Sequence, residues 1–113
     1  MKYIIAVIQP DRLDEVLQIL EEKEIHLVTV TNVLGRGRQK GISEVYRGHK
    51  EGGRLLKKIK LEIAVNDEYV QATIDAITQG ARTNHIGDGK IFVLDLKECF
   101  RIRTGEIGKI AIG

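Results

Sequence analysis

The chain has 113 residues, 18 basic and 16 acidic, for a net charge of +2, which bounds it to one domain able to bury a core without staples. With 42% hydrophobic and 30% charged residues and a single proline, the composition excludes a disordered or low-complexity chain. The lone Cys99 excludes an internal disulfide framework and favours a reducing, cytoplasmic compartment, and no apolar run approaches the roughly 20 residues of a membrane helix.

The run Tyr3 to Ile8 is apolar, rich in β-branched residues and stopped by Gln9-Pro10, which predicts a strand buried on both faces. Asp11 and Asp14 follow without a cleavage-site pattern, so the N-terminus is not read as a signal peptide. The period then changes. Leu13, Val16, Leu17 and Leu20 share one helix face, predicting a helix opened by Pro10 and Asp11 and ending near Glu24 or Ile25. Val28 to Leu34 alternates as a second strand. Residues 35–57 show neither period and contain six glycines, a length of loop that a small domain tolerates only where it is functional. Ile59, Leu61, Ile63 and Val65 alternate with Lys58, Lys60, Glu62 and Ala64 as a third strand. Asn66-Asp67 is expected to cap a second helix, with Val70, Ile74 and Ile77 inward and Gly80 closing it. A fourth strand is expected over Ile91 to Leu96, a short fifth around Phe100 to Arg103, then a glycine-containing tail.

Strand-helix-strand repeated about a long loop predicts an α+β, ferredoxin-like double βαβ sandwich with a mobile loop over residues 36–57. Both helices would cover one sheet face. The other would expose apolar side chains unless copies of the chain bury it, so a symmetric homo-oligomer is expected.

The small net charge conceals a segregation. Arg36 to Lys60 holds nine basic and two acidic residues, a local +7 that leaves −5 for the remainder and concentrates anions at the loop. Three features fit an anion. Gly35, Gly37 and Gly41 interleave with Arg36, Arg38 and Lys40 after a strand, freeing backbone N–H groups to face a ligand, although neither a Walker A nor a dinucleotide spacing is present. Gly87-Asp88-Gly89-Lys90 places turn chemistry before a lysine at a strand mouth. Arg101 and Arg103 on one strand would point to the same face as a polyphosphate clamp. Each also has a plain structural reading, as a soluble loop, a tight connection and a surface charge ladder. One shared anionic ligand explains all three together.

Other chemistries find little support. His26, His49 and His85 lack partners at metal-ligand spacing, Cys99 fits a small core residue, and Ser43 and Tyr46 have no paired base for nucleophilic catalysis. No enzyme activity is expected. At 4% aromatics and no tryptophan, the sheet lacks the stacking platforms of an RNA-binding relative of this topology, so no nucleic-acid partner is expected.

Four motifs, in order, resemble the PII nitrogen-regulatory signal proteins: V-T-x-V-x-G-x-G-R-Q-K-G over Val30 to Gly41, E-x-Y-R-G over Glu44 to Gly48, I-G-D-G-K-I-F-V over Ile86 to Val93, and R-I-R-T-G-E over Arg101 to Glu106. The resemblance covers essentially residues 1–113 as one PII-like domain. It implies a ferredoxin-like homotrimer with nucleotide sites between subunits, where ATP and ADP compete and 2-oxoglutarate binds beside Mg²⁺-ATP. Residues 36–57 would be the target-docking T-loop, 82–90 the nucleotide-binding loop, and 101–113 a C-terminal strand and tail.

By the same resemblance Arg38, Lys90, Arg101 and Arg103 would hold phosphates, with Gly37, Gly87, Asp88 and Gly89 in the loops around them. Thr29, Glu62 and Ala64 would enclose adenine and ribose. Gln39 would touch Mg²⁺ and 2-oxoglutarate, Lys58 would pair with the distal carboxylate, and Lys40, Gly41 and Gly87 would complete that site. Arg47 matches the loop-tip arginine that occludes an ammonium channel. The implied partner is an ammonium transporter or a nitrogen-metabolism enzyme or regulator. Docking on a transporter would bring the chain to the inner membrane face without insertion. Some positions depart from the family. Glu51 stands where relatives carry a modifiable tyrosine, position 49 is histidine where some phosphorylate serine, Gly52, Gly53 and Arg54 replace an apolar run, and Asn84 replaces a common glycine. The alternative implied by the altered loop is an adenylate sensor that does not read 2-oxoglutarate.

Overall fold

The computed structural model describes residues 1–37 and 54–113. Strand β1 (Lys2–Ile8) passes through a 3-10 turn at Pro10–Arg12 into helix α1 (Leu13–Glu22). Strands β2 (Thr29–Gly35) and β3 (Leu56–Val65) follow, then a 3-10 turn at Asp67–Tyr69, helix α2 (Val70–Ala81), strand β4 (Gly89–Asp95) and a terminal turn of helix, α3 (Lys109–Ile112). The sheet order is β2-β3-β1-β4 with every neighbouring pair antiparallel. β1 and β2 are therefore parallel with β3 between them, so each βαβ half is split by a strand of the other, as expected for the ferredoxin-like fold.

Alternation decides which face is buried. Ile4, Ala6 and Ile8 of β1 and Ile59, Leu61, Ile63 and Val65 of β3 point to the helices and are essentially sealed, together with Val16 and Leu20 of α1 and Ala76 and Ile77 of α2.

Several expectations need correction. β1 is buried on one face only within the chain, since Tyr3, Ile5 and Val7 remain half-buried. α1 ends at Glu22, where Lys23 donates to the Ile19 and Leu20 carbonyls and Glu24 takes a left-handed φ of 61°. β3 starts at Leu56, inside the span assigned to the long loop. Gly80 does not close α2. It lies within the helix, where a Cβ would stand 2.8 Å from the Val16 Cα, so its missing side chain lets α1 and α2 pack. Asn66 makes no side-chain cap. Its Nδ2 donates instead to the Lys109 carbonyl at 3.2 Å and pins α3.

The expected fifth strand is absent among the described residues. Phe100 bridges to Ile107 around a turn in which the Arg101 N–H donates to the Glu106 carbonyl and the Gly105 N–H to the Arg101 carbonyl, both at 2.8 Å. Thr-Gly after Ile102-Arg103 favours this turn over extended pairing. The C-terminal segment is thus a tight turn and a helix rather than a strand and tail.

Candidate functional site

The strand register orders the open sheet face into rows. Val33 stands opposite Lys58. Next come Thr31, Lys60, Val7 and Lys90, then Thr29, Glu62, Ile5 and Phe92, then Ala64, Tyr3 and Leu94. Lysines thus gather at the end where β1 finishes, a carboxylate sits mid-face, and apolar side chains run toward the β4 edge. Phe92 and Leu94 are about half exposed.

At the lysine end an open cleft of roughly 700 Å³ is walled by Gly35 to Gly37, Lys58, His85, Gly87 to Lys90 and the side chains of Val7 and Phe92. Gly37, Lys58, Gly87, Asp88, Gly89 and Lys90, distant in sequence, meet here. Lys58 is 8% exposed, and a Cβ on Gly35 would come within 3.3 Å of its Cγ, so the bare glycine makes room for the lysine stem.

The loop after α2 is held by its own carboxylate. Asp88 Oδ2 accepts the backbone N–H of Thr83 at 2.8 Å and of Asn84 at 2.9 Å, while the Thr83 hydroxyl donates to Oδ1. Burial pushes the Asp88 carboxyl up, but these hydrogen bonds, with one from the His85 N–H, outweigh it and leave it below the usual carboxylate range. Asn84 adopts φ 67°, a left-handed backbone that asparagine accepts in place of glycine. Gly87 and Gly89 have φ of 105° and 108°, and Gln9 Nε2 donates to the Gly87 carbonyl at 2.7 Å. Asp88 is therefore an anchor of the loop, its oxygens turned to the backbone of the loop itself.

The other assigned residues lie elsewhere. Thr29 and Glu62 face each other one row from Lys90, and Ala64 is one row further. Arg101 and Arg103 do not share a strand face and do not line the cleft. Arg101 donates from Nη1 to Glu106 Oε1 at 2.8 Å and from Nη2 to the Ile110 carbonyl at 3.1 Å. Its guanidinium lies near Gly113 and thereby Leu27, which with Ala64 lines a small cavity at the opposite end of the sheet. Arg38, Gln39, Lys40, Gly41 and Arg47 lie outside the described residues. Arg36, read from the sequence as part of the anion-binding glycine loop, lines the cleft, whereas the sequence does not point to His85 as a wall of the cleft or to Gln9 behind it. In the sequence His85 bears only on metal-ligand spacing. Gln9 reaches a residue 78 positions away and leaves no local trace.

This arrangement defines a ferredoxin-like α+β protein with a cationic, glycine-walled cleft at one end of its open sheet face. The model of the nitrogen regulatory protein P-II family matches residues 1–106, and the chain belongs to that family. Nitrogen regulatory protein GlnK1 of Methanosarcina mazei is 51% identical over 114 residues, covering 99% of this chain and 97% of that protein. Nitrogen regulatory protein P-II 2 of Methanothermobacter thermautotrophicus is 52% identical over 112 residues, with 99% and 97% covered. Nitrogen regulatory protein P-II of Bradyrhizobium diazoefficiens is 50% identical, with 99% and 100% covered. A crystal structure of Arabidopsis thaliana PII bound to citrate superposes with a TM-score of 0.79 at 35% identity, covering 97% of this chain and 87% of that one. The first three of these relatives are named as nitrogen regulatory proteins.

Proposed function

We propose that this chain is a non-catalytic PII-type transducer. It binds ATP or ADP and 2-oxoglutarate between subunits of a homotrimer and regulates nitrogen assimilation through residues 36–57, docking on an ammonium transporter or a nitrogen-metabolism enzyme. The observation that carries the reading is the cleft in which Lys58 and Lys90 meet the backbone of Gly87 and Gly89. Two cations, with positive-φ glycines that let a ligand approach the main chain, suit a polyanion. The relative bound to citrate, itself a polycarboxylate, adds support for an anionic ligand.

The separation of Arg101 and Arg103 from that cleft favours a site completed by a second copy, since one chain offers the cationic residues as two groups. A trimer also accounts for the open face and for the fully exposed Ile102. Mg²⁺ would neutralise phosphate charge, with Gln39, outside the described residues, as the side chain expected near it. Effectors would shift the loop only through different affinities for its states. The altered residues at 49, 51 and 52–54 favour a second reading, an adenylate sensor with a different target and no response to 2-oxoglutarate.

Two variants test the division of roles by calorimetry. Lys58→Ala should abolish 2-oxoglutarate binding and spare ATP. Arg101→Ala should weaken ATP by roughly 1.5–3 kcal/mol, the size of a charge-assisted contact. Simultaneous loss of both ligands in Lys58→Ala, or unchanged ATP affinity in Arg101→Ala, would contradict it.

A further inference from the structure

Mid-way along the open face, Tyr3 donates its phenolic O–H to Glu62 Oε2. The pair is diagonal in the register, because Tyr3 stands opposite Ala64 and Glu62 opposite Ile5, a spacing that a tyrosine can span. The Glu62 side chain is only 25% exposed, and its other oxygen, Oε1, has Lys60 Nζ at 4.0 Å, beyond a direct hydrogen bond. One oxygen is thus fixed by a neutral donor while the other retains acceptor capacity. The bond and the partial burial also raise the Tyr3 phenol above its ordinary value, so it stays protonated at neutral pH.

The strand order gives this pair a direction. Thr29 on β2 faces Glu62 from one side, and Tyr3 on β1 stands on the other. A ligand group that touches both Thr29 and Glu62 approaches from the β2 side and leaves Tyr3 behind the carboxylate. We infer that Tyr3 is a positioning and specificity residue: it fixes Glu62 as an oriented acceptor for a donor group on the nucleoside part of the ligand, a ribose hydroxyl or an exocyclic amine. This rests on the nucleotide reading of the site. It also explains a tyrosine beside the aliphatic run Ile4 to Ile8, because phenylalanine would bury the same ring but leave Glu62 unheld.

The test is calorimetric titration of the wild type, Tyr3→Phe, Glu62→Gln and the double variant with ATP, 2′-deoxy-ATP and inosine triphosphate, alongside an NMR titration of the Tyr3 phenol. Tyr3→Phe should bind ATP roughly three- to tenfold more weakly and lose most of the wild-type preference for ATP over whichever analogue lacks the recognised donor. In the Glu62→Gln background it should cost nothing more, since the acceptor it orients is gone. Loss of preference over 2′-deoxy-ATP assigns the donor to ribose, and loss over inosine triphosphate assigns it to the amine. Wild-type affinity and selectivity in Tyr3→Phe, or additive losses in the double variant, would overturn the role of Tyr3 alone. Failure of the wild type to bind ATP, with the Tyr3 titration still raised, would overturn the nucleotide reading and this role with it.

Discussion

Gly89 lies so close to β1 that a Cβ at position 89 would stand 1.8 Å from the carbonyl oxygen of Val7. Its φ of 108° is closed to other residues on a second, independent ground. The glycine therefore fixes where β4 begins, and so sets Lys90 opposite Val7 on the open face. Gly89→Ala should cost about 2–4 kcal/mol in urea denaturation, because the clash is with backbone that cannot rotate away. ATP affinity should fall with it. A stable variant with intact binding would contradict this placement of the cleft wall.

Asp88 makes a separate prediction about order in the loop. Its carboxyl lies below the usual value because the Thr83, Asn84 and His85 donors outweigh burial. A lowered folded value means that the ionised form contributes stability fully above the unfolded value of about 3.9, and that this is lost as pH falls through the lower folded value. Protection of the amides at residues 83–85, relative to their intrinsic exchange rates, should therefore persist through mildly acidic pH and fall only below about pH 4. Asp88→Asn should exchange quickly at all pH values and bind ATP roughly three- to tenfold more weakly. Unchanged protection in the Asn variant would contradict the anchoring role.

Gly80 tests the helix contact. On an isolated helix, alanine would gain about 1 kcal/mol over glycine. Here the added methyl meets the Val16 backbone at 2.8 Å, and overpacking costs about 1–3 kcal/mol. Gly80→Ala should be net destabilising by up to about 2 kcal/mol in urea titration. Stabilisation would mean that the helices separate freely.

Phe92 tests assembly apart from folding. It is 48% exposed in the single chain, on the face left open by the helices. Phe92→Lys should keep the circular dichroism of the wild type while sedimentation falls from the three copies of a 12.7 kDa chain that the proposed trimer requires to one. A variant that sediments with the wild type would contradict burial of this face between copies.

Much of the fold was legible because period decides it. The alternation from Ile59 to Val65 and the 3,4 spacing of Leu13, Val16, Leu17 and Leu20 each admit one element type. What failed was set by contacts across the chain. Gly80 reads as a helix stop until Val16 is known to lie against it, and Asn66 reads as a cap until Lys109 claims its amide. Arg101-Ile102-Arg103 has the alternation of a strand, but the pairing available to it is the turn closed by Glu106. In the cleft, Gly87 to Lys90 were legible as motif residues, and Lys58 came only from the family resemblance. The inward turn of Asp88, the Gln9 bond to Gly87 and the Tyr3 bond to Glu62 were not, since each depends on geometry that no local pattern encodes.

Calorimetry on the wild-type protein tests most directly the proposal that one cleft reads nucleotide and 2-oxoglutarate together. Titrated alone, 2-oxoglutarate should give no heat of binding. After saturation with Mg²⁺-ATP it should bind, because the nucleotide completes its site and linkage makes each ligand tighten the other. ATP binding with no response to 2-oxoglutarate under either condition would contradict the claim and leave an adenylate sensor.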